Sequence, residues 1–297
     1  MTAETFNAVV ETGHRPVTFV VRALHFARHN VLFVVGATVF ILIVLAAIFA
    51  PWIAPYDPVE INFADKLSPP SWQHLMGAND LGQDIFSQIL FGARTSLMVG
   101  VVVISLAIAI GVPIGLVAGY FGGRLDTALM RISDVFLAFP PLLLPIAITA
   151  ALGMGLFNAM AALAVSWFPW YSRIVRGAVM RVNNELYISA ARAMGVSSVR
   201  IMLRHALPNS LTPIIVQGSM DFGYAILAAA SLSFIGIGAQ PPTPEWGLMA
   251  ALSRDRFIDN WWTVGFPGIA IFVTVLAVNL VGDGVRDTLD PKHQSSH

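Results

Sequence analysis

The chain has 297 residues, of which 56% are hydrophobic and only 11% charged. A soluble domain carries about 25% charged residues, so a chain this apolar is expected to be an integral membrane protein. Basic and acidic residues balance at 17 each, which gives no indication of nucleic acid as a partner. The chain has no cysteine, so disulfides and thiolate metal sites are excluded.

Apolar segments of about 20 residues, long enough to cross the hydrocarbon core, recur along the chain. The first is longer than the apolar region of a signal peptide, about 7–15 residues, so we expect a retained helix. Residues 135–172 carry no charge and are too long for one span, and a turn at 153–158 divides them. The predicted fold is an all-α, polytopic membrane protein with six transmembrane helices, at about residues 31–53, 96–121, 128–150, 157–177, 211–235 and 261–281.

Basic residues orient these spans. Placing both termini in the cytoplasm leaves 13 of the 17 Lys and Arg inside, in agreement with the positive-inside rule. A second outer loop is then expected at 237–260, and a basic cytoplasmic segment at 178–210. The predicted organisation is a cytoplasmic N-terminal segment at 1–30, the first helix at 31–53, an extracytoplasmic loop at 54–95, a core of five helices at 96–283 and a cytoplasmic tail at 284–297.

Catalytic and nucleotide-binding motifs are absent from the sequence. Neither Lys66 nor Lys292 stands in the Gly-Lys-Ser/Thr of a P-loop, and there is no His-Glu-x-x-His or Gly-x-Ser-x-Gly. We therefore expect no catalytic, cofactor or metal site in this chain. Asp80 and Asp84, one helical turn apart, are interpreted as solvated loop carboxylates and not as a metal-binding pair.

Asp221 is the deepest charged residue, within the fifth predicted span. Carboxylates inside a membrane are energetically costly, which makes this one a candidate pore residue. Two interpretations stay open. The carboxylate is hydrogen-bonded to a neighbouring helix or exposed to a water-filled pore, or it is a counter-ion for a substrate ammonium or another cation. Asp134 lies nearer the inner interface and is expected to pair with an adjacent arginine.

The segment from Glu185 to Asn209 is predicted to form two short cytoplasmic helices. Helix-forming residues continue up to Gly195, which suits the left-handed position that ends a helix. A second helix is expected to begin at Ser197 or Ser198, since serine is a good N-cap, and Pro208 marks the entry to the next span. Small residues leave a surface that another protein can approach closely: Ala190, Ala191 and Gly195.

This segment resembles the EAA loop of permease subunits in binding-protein-dependent ABC importers. The family pattern is Glu-Ala-Ala, three residues, Gly, nine residues and Ile-x-Leu-Pro. Here the spacing is kept, and Ser189 and His205 replace the Glu and the Ile. Arg192 and Arg200 would pair with carboxylates of an ATPase or remain solvated. The resemblance implies that these residues couple the spans to an ATPase: Ser189, Ala190, Ala191, Arg192, Gly195, Arg200, His205, Leu207 and Pro208.

Other stretches are similar to dipeptide, oligopeptide and nickel permeases, in particular to the "C" type of subunit, which has a long loop after the first span. The resemblance extends over nearly the whole chain from about residue 28. It implies the type I fold of ABC importer permeases, with short cytoplasmic coupling helices. The stretches that carry it are residues 74–84, 91–97, 119–123, 231–236, 240–247 and 282–291.

The resemblance also implies the assembly. A second homologous permease subunit completes the pore, and two ATP-binding subunits hold ATP and Mg, so this chain would need no cofactor. A periplasmic or lipid-anchored solute-binding protein delivers cargo. The chain would lie in the bacterial plasma (inner) membrane, in contact with membrane lipid and with no nucleic acid. In the outer loops, Trp72 and Trp246 would contact the binding protein or, alternatively, form the core of the loops.

The expected function is that of a pore-forming subunit that translocates dipeptides or oligopeptides. Nickel chelates, glutathione and opines stay open as alternative cargo, because related permeases serve them. A stand-alone channel or carrier is the competing class. Its signature is several ionisable residues at mid-membrane, and only Asp221 fits that description here. The missing catalytic motifs disfavour a membrane enzyme.

Overall fold

The computed structural model describes residues 30–289, which fold into helices joined by short turns and two ordered outer loops. The predicted N-terminal segment at 1–30 and the tail beyond residue 289 lie outside these residues, apart from Asn30 at the start of the first helix. The helices are α1 Val31–Ile53, α2 Ile85–Phe121, α3 Gly123–Leu137, α4 Leu143–Leu152, α5 Leu156–Asn183, α6 Leu186–Ala193, α7 Ser198–Ile235, α8 Trp246–Ser253 and α9 Trp262–Leu289.

Four of the helices in this range, α1, α2, α7 and α9, are long and apolar enough to cross a membrane. The fourth predicted span corresponds to α5, which has 28 residues but a polar inner half. The third predicted span is divided. The amphipathic α3 ends before Pro140 and Pro141, and α4 adds only 10 residues. Proline lacks an N–H and disfavours helical geometry in the residue before it, so one continuous helix across 128–150 was the wrong prediction.

The second span begins earlier than the hydropathy pattern predicted. It starts at Ile85, so residues 85–95 belong to a helix and not to the outer loop. Asp84 caps this helix, because its carboxylate accepts the Ser87 backbone N–H at 2.8 Å and the Ser87 hydroxyl at 2.7 Å. The other oxygen of Asp84 lies 2.9 Å from Nδ1 of the buried His74. Asp84 is therefore a buried cap of α2 and not the solvated loop carboxylate that the sequence suggested.

The core of the molecule lies between α2, α5 and α7. Its centre is made of apolar side chains such as Val103, Leu163 and Leu232, all fully buried. The α2–α5 contact depends on three glycines at every fourth position of α2, a pattern that lets two helix backbones approach closely. A methyl group on Gly111 or Gly119 would lie 2.5 Å and 2.8 Å from backbone oxygens of α5, and one on Gly115 would overlap the carbonyl oxygen of Ser172.

A proline and an arginine join the peripheral α1 to the core. Pro51 lies inside α1 and has no N–H for the carbonyl of Ala47, four residues earlier. Arg94 of α2 supplies the missing donor: its Nε donates to the Ala47 carbonyl at 2.5 Å, and its Nη2 to the Ile48 carbonyl at 2.8 Å. The sequence suggested only a loop cation at position 94. The structure shows a side chain that completes the hydrogen bonding of α1.

This link predicts a coupled pair of mutations. Arg94→Gln should destabilise the chain by about 1–3 kcal/mol, because it leaves a carbonyl near the membrane without a donor. Pro51→Ala restores the N–H of position 51, so the cost of Arg94→Gln should fall by about 1 kcal/mol in that background. The measurement is a double-mutant cycle on thermal unfolding in detergent. Additive effects would show that Arg94 and Pro51 act independently.

Candidate functional site

The candidate site is the segment after α5 that the sequence analysis predicted to be cytoplasmic. Its first helix, α6, ends as predicted at Gly195, which has φ +75°. The N–H of Gly195 bonds to the Arg192 carbonyl at 3.0 Å, and the N–H of Val196 bonds to the Ala191 carbonyl at 3.1 Å. This pair of bonds is the Schellman arrangement, in which a glycine takes the left-handed position. The chain therefore reverses sharply at Gly195 and leads directly into α7.

The segment has an inner face that packs and an outer face that does not. Ile188, Ala191 and Ile201 are buried together and pack against Tyr120 at the end of α2. Ala191 was predicted to lie on an accessible small-residue surface, and that prediction is wrong, because it is 6% exposed. The outer face is accessible and rich in apolar side chains. Its large exposed side chains are Leu186, Tyr187, Met194, Val199 and Leu203.

The second short helix is not a separate element. It begins at Ser198 and continues through a π-helical turn at Met202–Ala206 into the long helix α7. The Leu207 N–H bonds to the Met202 carbonyl, five residues earlier, which is the hydrogen bond that defines a π-helical turn. Pro208 follows directly. The wider π-helical turn before it leaves room for the proline ring, which would clash in the interior of a regular α-helix. A displacement of Ser198 would therefore move the same continuous helix that crosses the membrane.

Arg192 and Arg200, two of the three arginines of the segment, have different surroundings. Arg192 donates to Asn183 Oδ1 at 3.0 Å and lies 5.1 Å from the ring centre of Tyr120. Asn183 in turn donates to the last carbonyls of α2, at Gly119 and Tyr120. Arg192 therefore fastens α6 to α2. Arg200 is exposed and forms no ion pair with any residue between 30 and 289, so unlike Arg192 it is available to an external carboxylate.

The remaining predicted coupling residues lie on or next to this module. Ser189, Ala190 and Pro208 are exposed, and Leu207 is half-buried. His205 packs 6.0 Å from Tyr187 between ring centres, and so helps hold α6 against the start of α7. The structure thus brings the predicted residues together in one compact module, with Ala191 buried inside it and Arg192 exposed but held by Asn183.

Ion pairs that the sequence analysis did not assign join α3 to α5 beside this module. Arg176 forms a two-pronged pair with Asp126, at 2.5 and 2.7 Å. Arg173 donates to Asp134 at 2.5 Å, which confirms the prediction that Asp134 pairs with a nearby arginine. Residues 50 and 39 positions apart cannot be matched from spacing alone, so only the fold reveals which charges meet.

Asp221 does not present a free carboxylate. Tyr171 of α5 donates to one of its oxygens at 2.9 Å, and Gln217 donates to the other at 2.8 Å. Tyr171 is fully buried. This geometry favours the first of the two open interpretations, a carboxylate hydrogen-bonded between neighbouring helices, and offers no support for a counter-ion.

The two outer tryptophans have opposite environments. Trp72 is 98% exposed, as a contact surface requires. Trp246 is 2% exposed, and its Nε1 donates to the Ile89 carbonyl at 3.1 Å. Its ring lies against Gly92 of α2, where a side chain would collide with it. The prediction of a surface contact is therefore wrong for Trp246, and the alternative of a loop core is confirmed for it.

Glu245, next to Trp246, is a buried carboxylate that the sequence analysis missed. It caps α8 by accepting the backbone N–H groups of Gly247 at 2.9 Å and Leu248 at 2.8 Å. Burial raises the pKa of Glu245 above the usual range of a glutamate, and the two backbone hydrogen bonds only partly oppose this. Folding therefore shifts this carboxyl group toward its protonated form relative to an exposed glutamate.

This raised pKa predicts a pH dependence. The contribution of Glu245 to stability is fully present below the ordinary glutamate pKa, and it is lost as the pH rises through the higher folded-state pKa. Glu245→Gln cannot ionise and should lack this component. We expect the Tm of the wild type to fall relative to that of Glu245→Gln as the pH is raised from the ordinary glutamate pKa, about 4.3, through the range in which Glu245 ionises in the folded chain. A constant difference over that range would contradict the assignment.

Comparison with known proteins matches the whole of this architecture to transport proteins. Residues 111–294 match the family described as "Binding-protein-dependent transport system inner membrane component". Residues 18–70 match the family described as "N-terminal TM domain of oligopeptide transport permease C".

Individual relatives are similar over most of their length. The chain is 46% identical over 259 residues to a probable D,D-dipeptide transport system permease protein of Escherichia coli K12, which covers 87% of each chain. It is 47% identical over 272 residues to a glutathione transport system permease protein of another Escherichia coli strain, with 91% of this chain and 88% of the relative covered. The MetNI methionine ABC transporter, solved in an inward facing conformation, shares the fold, with a TM-score of 0.57 at 18% identity over 69% of this chain and 98% of that chain.

Proposed function

Since the chain belongs to the family of inner-membrane components of binding-protein-dependent transport systems, we propose that it forms half of the pore of an ATP-driven importer for dipeptides or short oligopeptides. It is a multi-pass permease subunit of an ABC importer. A second, homologous permease subunit supplies the other half of the pore. Two ATP-binding subunits hydrolyse ATP on the cytoplasmic side, and a solute-binding protein delivers cargo to the outer face.

The observation that carries this proposal is the cytoplasmic module made of α6 and the start of α7. Its inner face is packed, its outer face is apolar and accessible, and its second half is continuous with a membrane-crossing helix. An ATPase subunit that binds this outer face can move α7 directly. Closure of two ATPase subunits on ATP would then switch the pore between outward-open and inward-open packings, as two-state transporters do.

The orientation follows from the same module. For ATP-binding subunits to reach α6, the segment that holds it must lie in the cytoplasm, which also places both termini there. The bias of Lys and Arg in the sequence supports this orientation. The outer loops at 54–84 and 237–260 then face the binding protein, and the fully exposed Trp72 is the contact residue that we propose there.

The cargo is proposed from relatives. Permeases named for dipeptides and for di- and tripeptides are each 46% identical to this chain. A permease named for glutathione, itself a small peptide, is 47% identical and makes glutathione the second candidate. Nickel chelates and opines are weaker alternatives. A stand-alone channel or carrier is disfavoured because Asp221, the carboxylate that it would use, is occupied by two hydrogen bonds.

Co-purification tests the assembly. We would tag the chain at its native locus, extract membranes in mild detergent and identify the proteins that remain bound. A second permease together with one or two P-loop ATPases is the expected result. Recovery of this chain alone, or only as a homo-oligomer, would contradict the proposal and favour the channel or carrier.

A matched pair of substitutions tests the docking face. Leu186→Glu places a charge on a side chain of the outer face that is 87% exposed, so it should leave the fold intact and reduce the recovered ATPase by about tenfold or more. Ile258→Glu makes the same change at a residue of the outer loop that is 94% exposed, and should have no such effect. Normal ATPase recovery with Leu186→Glu would remove this face from the interface.

A further inference from the structure

Two uncovered helix faces at mid-membrane differ in chemistry. Apart from the exposed Thr38, the outward face of α1 is aliphatic and aromatic, with exposed residues such as Leu42, Leu45 and Phe49. The uncovered face of α7 carries hydroxyl-bearing residues among apolar ones, with Thr212 and Tyr224 exposed. A threonine hydroxyl can bond to a carbonyl of its own helix, whereas a tyrosine hydroxyl extends away from its helix and a lipid chain cannot satisfy it. The first face suits lipid and the second does not.

The depth of Tyr224 strengthens this contrast. Eleven residues separate it from Ile235, where α7 ends, which corresponds to about 16 Å of helix. The hydrocarbon core is about 30 Å thick, so Tyr224 lies near its middle. Tyrosines that face lipid gather at the two interfaces instead. Within residues 30–289, the hydroxyl of Tyr224 has no hydrogen-bond partner, and its side chain is 44% exposed.

The neighbours of Tyr224 form an aromatic and uncharged surface. Its ring stacks on Trp167 of α5, with ring centres 5.1 Å apart and planes 20° from parallel. One turn further along α5, Trp170 is 55% exposed, and Leu227 is exposed on the next turn of α7. Asp221 is the only charged residue between positions 211 and 235, and both of its oxygens are held by Tyr171 and Gln217.

We infer that the face formed by Trp170, Tyr224 and Leu227 lines the water-filled passage of the importer and touches cargo, whereas the two oxygens of Asp221, one turn earlier on α7, are already hydrogen-bonded within the subunit. This inference rests on the proposed function and names the surface that its cargo meets. Flat aromatic side chains can pack against peptide groups, and Tyr224 also offers a hydroxyl to them. Since the surface has no free charge, this subunit accepts peptides that carry either sign.

Because the chain has no cysteine, single cysteines report accessibility without background. We would introduce Tyr224→Cys and Leu227→Cys into the full complex in membranes and add a membrane-impermeant quaternary-ammonium methanethiosulfonate. Both should be labelled. Leu42→Cys should remain unlabelled even though Leu42 is 59% exposed, because its face meets lipid, and the fully buried Ala225→Cys is a second control. If Tyr224→Cys and Leu227→Cys are as inert as Leu42→Cys, the face is covered and the inference is overturned.

A charge placed on the surface provides the second measurement. Tyr224→Glu should lower uptake of glutamate-containing dipeptides relative to lysine-containing ones by about threefold or more, whereas Tyr224→Gln should leave the ratio unchanged. An unchanged ratio with Tyr224→Glu would remove Tyr224 from the passage. These results are read in complexes whose wild-type form imports peptide on addition of ATP. Absence of import by that form would defeat the proposed function itself, and inert cysteines in an active complex would defeat only this inference.

Discussion

Gly195→Pro should abolish ATP-driven uptake while the membrane-spanning helices still insert. The proline ring holds φ near −65°, whereas the chain turns at Gly195 with φ +75°. Proline also removes the N–H that bonds to the Arg192 carbonyl. The turn between α6 and α7 then cannot form, and the ATPase loses its rigid connection to α7. We expect uptake to fall by at least about tenfold, the equivalent of about 1.4 kcal/mol in coupling, measured as import of labelled dipeptide into vesicles.

A graded series separates this effect from general damage. A methyl group on Gly195 meets no atom within 4 Å, so Gly195→Ala should cost only the left-handed backbone conformation, about 1–2 kcal/mol, and give an intermediate loss. Gly177→Ala, at an equally open position inside α5, should leave uptake unchanged or slightly stabilise the chain. Wild-type uptake by Gly195→Pro would exclude this turn from coupling.

Gly115→Val should be among the most destabilising single substitutions in the membrane core. The new side chain would overlap the carbonyl oxygen of Ser172 and meet Val175 at 2.8 Å, where two helix backbones leave no room. Overpacking of this kind costs up to about 3 kcal/mol, because α2 and α5 must move apart. We expect a lower yield of folded complex and a Tm lowered by roughly 6 °C in detergent.

The control makes the same change where there is space. Gly268 lies in the membrane-crossing helix α9, and a methyl group there meets nothing within 4 Å. Gly268→Val should therefore leave Tm within about 1–2 °C of wild type. Equal losses at both positions would show that valine disturbs these helices through propensity alone, and that the close α2–α5 contact contributes little.

Much of the site was predictable from sequence because its determinants are local. The turn at Gly195 depends on one residue that tolerates positive φ, and the long apolar helices depend on hydropathy over about 20 residues. Hydropathy predicted the wrong helix ends where a capping residue or a proline, and not the apolar pattern, decides where the helix begins or ends. Asp84 extends α2 outward by eleven residues, and Pro140 and Pro141 divide the third predicted span.

The sequence by itself determined the class of protein, the apolar segments and the turn at Gly195, since composition, periodicity and a single glycine act over short distances. Only the tertiary structure decided which surfaces are available. Trp246 and Glu245 are buried within the loop that holds them. Arg94 donates to the carbonyl that Pro51 leaves without a donor, and both oxygens of Asp221 accept hydrogen bonds. The physical reason is that each of these outcomes depends on a partner many residues away. Whether a polar group has a hydrogen-bond partner depends on how the helices pack, so a local sequence pattern cannot reveal it.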